Sequence, residues 1–153
     1  MTATVSLREL TDANLDAVKA LRTTRQQERF VSTVEESMLE AAEDVDGRAQ
    51  MWAVYAGEQA VGFVMLSDTV IAPGYISQYL WKLLIDERHQ RRGYGTATLD
   101  LVADLFRARS DVTAMWTSAG QGEGSPIPFY ERYGFVQTGE RVFDGEVLLR
   151  LDL

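Results

Sequence analysis

Apolar and polar positions change period repeatedly along the chain, and each change marks an element. Residues 5–10, Val5-Ser6-Leu7-Arg8-Glu9-Leu10, alternate with period two, the pattern of a half-buried strand. Thr11 then stands where a helix N-cap would, and Leu15, Val18 and Leu21 carry a helical stripe from residue 12 to about 24. Residues 24–30 are polar and charged and read as the end of that helix and a loop. Thr33 and Glu36 have capping-box spacing ahead of Met38, Leu39, Ala42 and Val45, which predicts a second helix over 34 to about 45, stopped near Gly47. Residues 51–55 and 61–66 are apolar strands on either side of Gly57-Glu58, hence a hairpin. A loop holding Pro73-Gly74 leads into a long strand from about 75 to 85.

A helix over 95 to about 108 shows one apolar face, Leu99, Val102, Leu105 and Phe106. Residues 112–117 alternate as a strand, and 118–125 form a glycine-rich loop. Pro126 suits the first turn of a short helix over 126–133 that Gly134 ends, and 135–138 with 141–151 close the chain as a strand pair. The order β-α-α-β-β-β-α-β-α-β-β, without repeat or linker, predicts one α/β domain with a mixed sheet over residues 1–153.

Composition narrows the chemistry. At 153 residues, with 46% hydrophobic and 25% charged residues, the chain suits one soluble globular domain. No apolar run approaches a membrane span, and the N-terminus lacks the basic and apolar regions of a secretory signal, so the expected compartment is the cytoplasm. Without cysteine there is no disulfide, thiolate metal site or cysteine nucleophile, and the single histidine, His89, does not supply a histidine metal site; no metal is expected. The net charge of −8 opposes nucleic-acid binding and would concentrate small cations near the surface. Against that acidic background the cluster Arg88, Arg91 and Arg92 stands out.

The cluster lies where the long strand passes through Gly93 and Gly95 into the third helix. Free backbone N–H groups and the macrodipole make such a helix start an anion site, and glycines let the backbone turn tightly without a Cβ in the way. The loop is not a GxxxxGK[ST] P-loop, and the dinucleotide fingerprint would want glycine or alanine where Thr98 stands. Gln90-Arg91-Arg92-Gly93-Tyr94-Gly95 resembles the Gln/Arg-x-x-Gly-x-Gly/Ala pyrophosphate loop of the GNAT family of N-acetyltransferases, which bind acetyl-coenzyme A (acetyl-CoA).

The resemblance implies an α/β (α+β) fold with a single mixed, mostly antiparallel sheet of six to seven strands flanked by about four helices. It implies that the strand before the loop splays from its neighbour at a bulge, and that the backbone of Leu83, Leu84 and Ile85 pairs with the pantetheine arm. The Ile85 N–H would polarise the thioester carbonyl. The amides of Gln90, Arg91, Arg92, Gly93, Tyr94, Gly95 and Thr96 would hold the pyrophosphate, with the Arg91 and Arg92 side chains alongside. A second segment, Phe129-Tyr130-Glu131-Arg132-Tyr133-Gly134-Phe135, resembles the family's Tyr-x-x-x-Gly-Phe segment, which makes Tyr130 the donor to the departing thiolate, with Tyr133 its competitor on the same helix face. The chain departs from the family at Glu123 and Pro126, where many members carry Asn and Ala. Glu123 cannot donate, so that contact is either absent or supplied by the loop backbone around Gly124 and Ser125.

An alkylamine is mostly protonated at neutral pH, so acetylation needs a base. Glu28, Glu35, Glu36, Asp86, Glu87 and His89 are the candidates, although Glu35 and Glu36 also suit the first turn of a helix as solvated residues. Residues 30–37, 52–55 and 61–65 are similar to the bacterial diamine/spermidine acetyltransferase branch, whose first two helices border the acceptor pocket. Glu28, Glu35, Glu36, Tyr79 and Asp86 would then bind a cationic acceptor, with Tyr75 and Trp81 adding cation–π contacts. The expected reaction is direct transfer of an acetyl group from acetyl-CoA, the co-substrate, to a primary amine such as a polyamine or diamine, without an acyl-enzyme. An aminoglycoside-like or peptide N-terminal amine is the alternative acceptor, and a non-catalytic acyl-CoA sensor the alternative role. Neither nucleic acid nor membrane is an expected partner. Homodimers are common in the family, and residues 141–151 have the apolar content for an interface.

Overall fold

The computed structural model describes residues 4–67, 76–109 and 111–153. Seven strands, β1 (Ser6–Arg8), β2 (Ala49–Ala56), β3 (Gln59–Ser67), β4 (Tyr79–Ile85), β5 (Ala114–Ala119), β6 (Val136–Val142) and β7 (Glu146–Asp152), form one sheet in the order β1-β2-β3-β4-β5-β7-β6. Neighbours run antiparallel except β4 and β5, which are parallel. Helices α1 (Leu15–Lys19) and α2 (Val34–Glu43) cover one face, and α3 (Tyr94–Arg107) and α4 (Ile127–Tyr133) the other. Val18, Val34, Phe63, Met65 and Leu84 fill the first interface; Val64, Leu80, Leu99, Val102, Phe106 and Tyr130 belong to the second. This is the expected mixed, mostly antiparallel sheet with four helices. No helix among the described residues is long and apolar enough to cross a membrane.

Local chemistry explains most of the boundaries. The Thr33 hydroxyl accepts the Glu36 N–H at 3.1 Å while the Glu36 carboxylate accepts the Thr33 N–H at 2.9 Å, so α2 begins at a complete capping box. The first helix is shorter than the stripe over 12–24 predicts. Beyond Lys19 the backbone is drawn to the end of β4: the Arg22 N–H donates to Asp86 Oδ1 at 2.9 Å, and the Arg22 carbonyl accepts the Glu87 N–H at 2.7 Å. Residues 24–30, read as a loop, contain a 3-10 turn at Gln27–Arg29.

At the C-terminus the expected strand over 141–151 is divided. Arg141 and Val142 end β6, and Phe143, Asp144 and Gly145, with φ of 42°, 55° and 99°, make the hairpin turn into β7. Asp-Gly tolerates that left-handed backbone, which is why the break falls there. The Pro73-Gly74 loop and the Tyr75 start of the fourth strand lie outside the described residues.

Two irregularities in β4 shape the site. The β3–β4 register shifts between Met65↔Lys82 and Leu66↔Leu80, leaving Trp81 as the extra residue of a bulge. Pairing with β5 is confined to Tyr79↔Trp116 and Leu80↔Thr117. Past Leu80 the two strands part, and the sheet opens into a wedge.

Candidate active site

The residues bordering the wedge on the β4 side follow from strand alternation. Asp86 N–H donates to Val61 O at 2.9 Å, so alternate β4 residues counting back from Asp86 direct N–H and C=O toward β3. Leu84 is one of these; its carbonyl lies 2.5 Å from where a Cβ on Gly62 would sit, and its side chain is core. Leu83 and Ile85 fall between and direct N–H and C=O to the open edge, where the Ile85 carbonyl accepts from Gln90 Nε2 at 2.8 Å. The expectation for the strand therefore divides. Leu83 and Ile85 face the wedge, whereas Leu84 is taken up by β3 through its backbone and by the core through its side chain.

Below this edge lies a cleft of about 710 Å³, bounded by Leu83 and Ile85, the loop and first turn of α3, and Ser125 to Tyr130. Gln90, Arg91, Gly93, Tyr94, Gly95 and Thr96 all line it. Arg91 (φ 64°) and Gly93 (φ 82°) adopt left-handed backbone, the kind of turn that gathers N–H groups into an anion-binding concavity. Gly93 is the N-cap of α3, and no side chain caps that helix or puts an acid in its first turn. The contrast with the closed capping box of α2 is chemical: no side chain caps the first amides of α3. Gly95 has a further role, since a Cβ there would meet the Phe129 ring at 3.0 Å.

The arginines divide. Arg91 borders the cleft, Arg92 is exposed and does not line it, and Arg88 pairs with Asp86 at 2.8 Å. Asp86 is buried, and burial alone would raise its pKa. The Arg22 amide and the Arg88 guanidinium outweigh that and hold its carboxyl below the usual carboxylate range. It is a tie between elements and lines neither cavity.

Tyr130 reaches the apex of the wedge from α4. Its hydroxyl hydrogen-bonds Thr117, whose own hydroxyl donates to the Leu80 carbonyl at 3.0 Å, at the last paired rung of β4 and β5. Burial pushes the Tyr130 pKa up to about 12, against the opposing pull of Thr117. Tyr133 instead donates to Asp100 on α3 at 2.6 Å and does not line the cleft. At the departure from the family pattern, Glu123 accepts from Gln26 at 3.4 Å, and the Ser125 hydroxyl accepts the Ile127 N–H at the start of α4.

On the other face, at the same apex, lies a second cavity of about 610 Å³. Glu40 and Glu43 approach it from α2, Asp44 from the C-cap of that helix and Glu146 from β7, while Tyr79, Trp81 and Phe143 supply aromatic walls. Lys82 also lines it, held by Glu40 at 2.9 Å and Ser32 at 3.0 Å. Of the five residues expected to bind a cationic acceptor, only Tyr79 lines this cavity. Glu36 is occupied by the capping box, whose Thr33 amide and hydroxyl hold its carboxyl below the usual range. Glu28 and Glu35 are exposed and border neither cavity, and Asp86 is tied to Arg22 and Arg88. Of the other base candidates, Glu87 and His89 border the first cleft instead.

The carboxylates that do line the second cavity had a partial signal in the sequence. Glu40 and Glu43 fall at i and i+3, on one face of a helix. Glu146 and Phe143 reach the cavity only because the Asp144-Gly145 turn divides the strand expected over 141–151. Gln26 and Gln27 had none: Gln27 exchanges two hydrogen bonds with Gln90, at 2.7 and 3.1 Å, across 63 residues.

A relative, the spermine/spermidine N(1)-acetyltransferase of Bacillus subtilis (strain 168), is 25% identical over 159 residues, 97% of this chain and 99% of its own. Among solved structures, spermidine N-acetyltransferase from Vibrio cholerae, in complex with CoA and spermine, superposes with a TM-score of 0.68 at 17% identity, covering 97% of this chain and 95% of that one. Aminoglycoside acetyltransferase AAC(6')-Ib in complex with coenzyme A does so with a TM-score of 0.75 at 15% identity, over 97% and 95%. At those identities the structures speak for the fold alone. The family model described as an acetyltransferase (GNAT) domain matches residues 9–149. The chain therefore belongs to the GNAT acetyltransferase family, the acetyl-CoA-dependent N-acetyltransferases.

Proposed function

We propose that this enzyme acetylates a small polycationic amine, a polyamine or diamine, by direct attack on acetyl-CoA. The observation that carries the reading is the opening of the β4–β5 wedge between two chemically opposite cavities. One is bordered by uncapped helix amides and Arg91, the other by four carboxylates and three aromatic rings. Uncapped amides suit a pyrophosphate, and an extended amide-bearing arm suits an open strand edge. Carboxylates and aromatic faces suit ammonium groups. The B. subtilis relative's name agrees with such an acceptor.

In this reading Gln90, Arg91, Gly93, Tyr94, Gly95 and Thr96 hold the pyrophosphate. Leu83 and Ile85 pair with the pantetheine arm, which runs along β4 from the α3 loop toward the Leu80–Thr117 rung, so the Leu83 N–H, the nearer to that rung, polarises the thioester carbonyl in place of Ile85. Tyr130, protonated throughout the physiological range, supplies the proton that the leaving sulfur needs. Glu40, Glu43 and Asp44 hold the distal ammonium groups of the acceptor. The domain spans residues 1–153, acts in the cytoplasm, and pairs with a second copy through β6, the outer strand of the sheet, where Val136 is exposed.

The test is a titration with acetyl-CoA followed by thiol release on spermidine, 1,4-diaminobutane and an uncharged-tail monoamine. Thiol release that favours the polyamines is expected. Acetyl-CoA binding with release on the monoamine alone would overturn the acceptor.

A further inference from the structure

The reading above leaves the base that deprotonates the amine unassigned, and the apex of the wedge has a group of residues suited to it. Thr117 and Ser118 are adjacent on β5, and Tyr79 and Leu80 are adjacent on β4. Alternation sends one of each pair to either face of the sheet. Thr117 and Leu80 meet Tyr130 on the coenzyme face. Ser118 and Tyr79 meet each other on the acidic face, where Ser118 also donates to Glu146 Oε1 at 2.9 Å.

The direction of this chain is set by its end. A carboxylate only accepts, so the single Ser118 proton points to Glu146, and Tyr79 must donate to Ser118. The remaining lone pair of the Tyr79 oxygen is then the free end. Both Tyr79 and Glu146 line the acidic cavity.

Resting on the acceptor reading above, we propose that Tyr79, Ser118 and Glu146 form a one-way proton relay that deprotonates the incoming amine. The ammonium N–H bond breaks toward Tyr79 Oη as the Tyr79 proton passes to Ser118 Oγ and the Ser118 proton to Glu146 Oε1. The ammonium becomes an amine and the carboxylate a carboxylic acid. The nitrogen lone pair then forms the N–C bond, the C–S bond breaks, and Tyr130 protonates the sulfur. The surplus proton on the new amide nitrogen restores the Tyr130 phenol. Overall an ammonium ion and a thioester give an amide, a thiol and one proton, which Glu146 returns to water.

Two features support the assignment. Burial, against the pull of the Ser118 hydrogen bond, raises the Tyr79 pKa, so the phenol acts as a conduit and the carboxylate as the acceptor. Acid and base stand on opposite faces of neighbouring rungs at the end of the β4–β5 pairing. The charged and titratable groups around the relay are Glu40 and Glu43 from α2, Asp44 from its C-cap, Lys82 from β4, and Tyr130 from α4.

The experiment compares wild type with Glu146→Gln, Ser118→Ala and Tyr79→Phe on two nucleophiles: spermidine, whose amines are charged at neutral pH, and hydroxylamine, which is largely uncharged. All three variants are expected to bind acetyl-CoA as wild type does. Each should lose on the order of 100-fold in kcat on spermidine at pH 7.5, recover as pH rises, and change little on hydroxylamine. An equal loss on both nucleophiles overturns the relay, as does a full rate in Tyr79→Phe while Glu146→Gln is slow.

If wild type binds acetyl-CoA yet acetylates no polyamine, the acceptor reading fails separately. The relay is then judged on the hydroxyl protons of Tyr79 and Ser118 by NMR. Slowly exchanging signals lost in Glu146→Gln support it, and their absence in wild type overturns it.

Discussion

The two tyrosines of α4 show how one turn of helix separates chemistry from packing. Tyr130 and Tyr133 share a face, yet Tyr130 reaches the Thr117–Leu80 rung while Tyr133 is bonded to Asp100. Tyr130→Phe keeps the ring against Phe129 and Phe135 and removes only the hydroxyl. Its expected effect is an unchanged acetyl-CoA Kd with kcat lower by about 10²–10⁴-fold, read by titration and thiol release; Tyr133→Phe should stay near wild type. Asp86 makes a different claim at this scale. Its carboxyl is held below the unfolded-state value of about 3.9, so its contribution to stability is fully present above that pH and lost as pH falls through the folded value. Asp86→Asn should therefore be less stable than wild type at neutral pH and show a shallower loss on acidification. Urea midpoints between pH 3 and 7 would measure it.

Elements were legible wherever a local signal agreed with the tertiary need. Thr33 and Glu36 announced the α2 start, and they form both bonds of the box. Thr33→Ala should cost about 1 kcal/mol and lower Tm by about 2–4 °C, with acetyl-CoA affinity unchanged, because α2 does not touch the coenzyme cleft. The Gln90–Gly95 motif likewise pointed to the cleft that all its residues but Arg92 line, since a glycine-paced strand-to-helix turn is a local signal. What stayed hidden depends on distant partners. Helix α1 stops early because Asp86, 64 residues away, takes the Arg22 amide. The acidic cavity needs α2, the β4 bulge and the β6–β7 turn to converge, and no spacing in the chain encodes that meeting. Leu84 and Ile85 look alike in sequence, but pleat alternation gives one to β3 and the other to the wedge. That division can be tested through Gly62. A Cβ there would lie 2.5 Å from the Leu84 carbonyl and 2.8 Å from Ile85 Cδ1, so β4 must move away from β3. Gly62→Ala should cost about 1–3 kcal/mol and weaken acetyl-CoA binding together with stability. A variant that loses Tm but keeps full affinity would show that the β4 edge does not grip the coenzyme.

At the scale of the whole molecule, charge has to serve two ligands of opposite sign. The chain carries 23 acidic and 15 basic residues, a field that attracts a polyamine and repels coenzyme A. Locally the balance is reversed: Arg91 and the uncapped α3 amides border one cavity, while four carboxylates against Lys82 border the other. Salt separates these contributions, because the screening length falls from about 30 Å at 0.01 M to about 10 Å at 0.1 M. Long-range attraction of the acceptor should fade over that range, and long-range repulsion of the coenzyme should fade with it. The KM for spermidine is therefore expected to rise several-fold as salt increases, more steeply than that for 1,4-diaminobutane, which carries one charge fewer. The KM for acetyl-CoA should stay level or fall. Glu40→Gln and Glu43→Gln should flatten the spermidine slope without touching the coenzyme's. Equal slopes for all the amines, whatever their charge, would mean that the acidic cavity does not select the acceptor, and the polyamine assignment would fall while the coenzyme cleft stood.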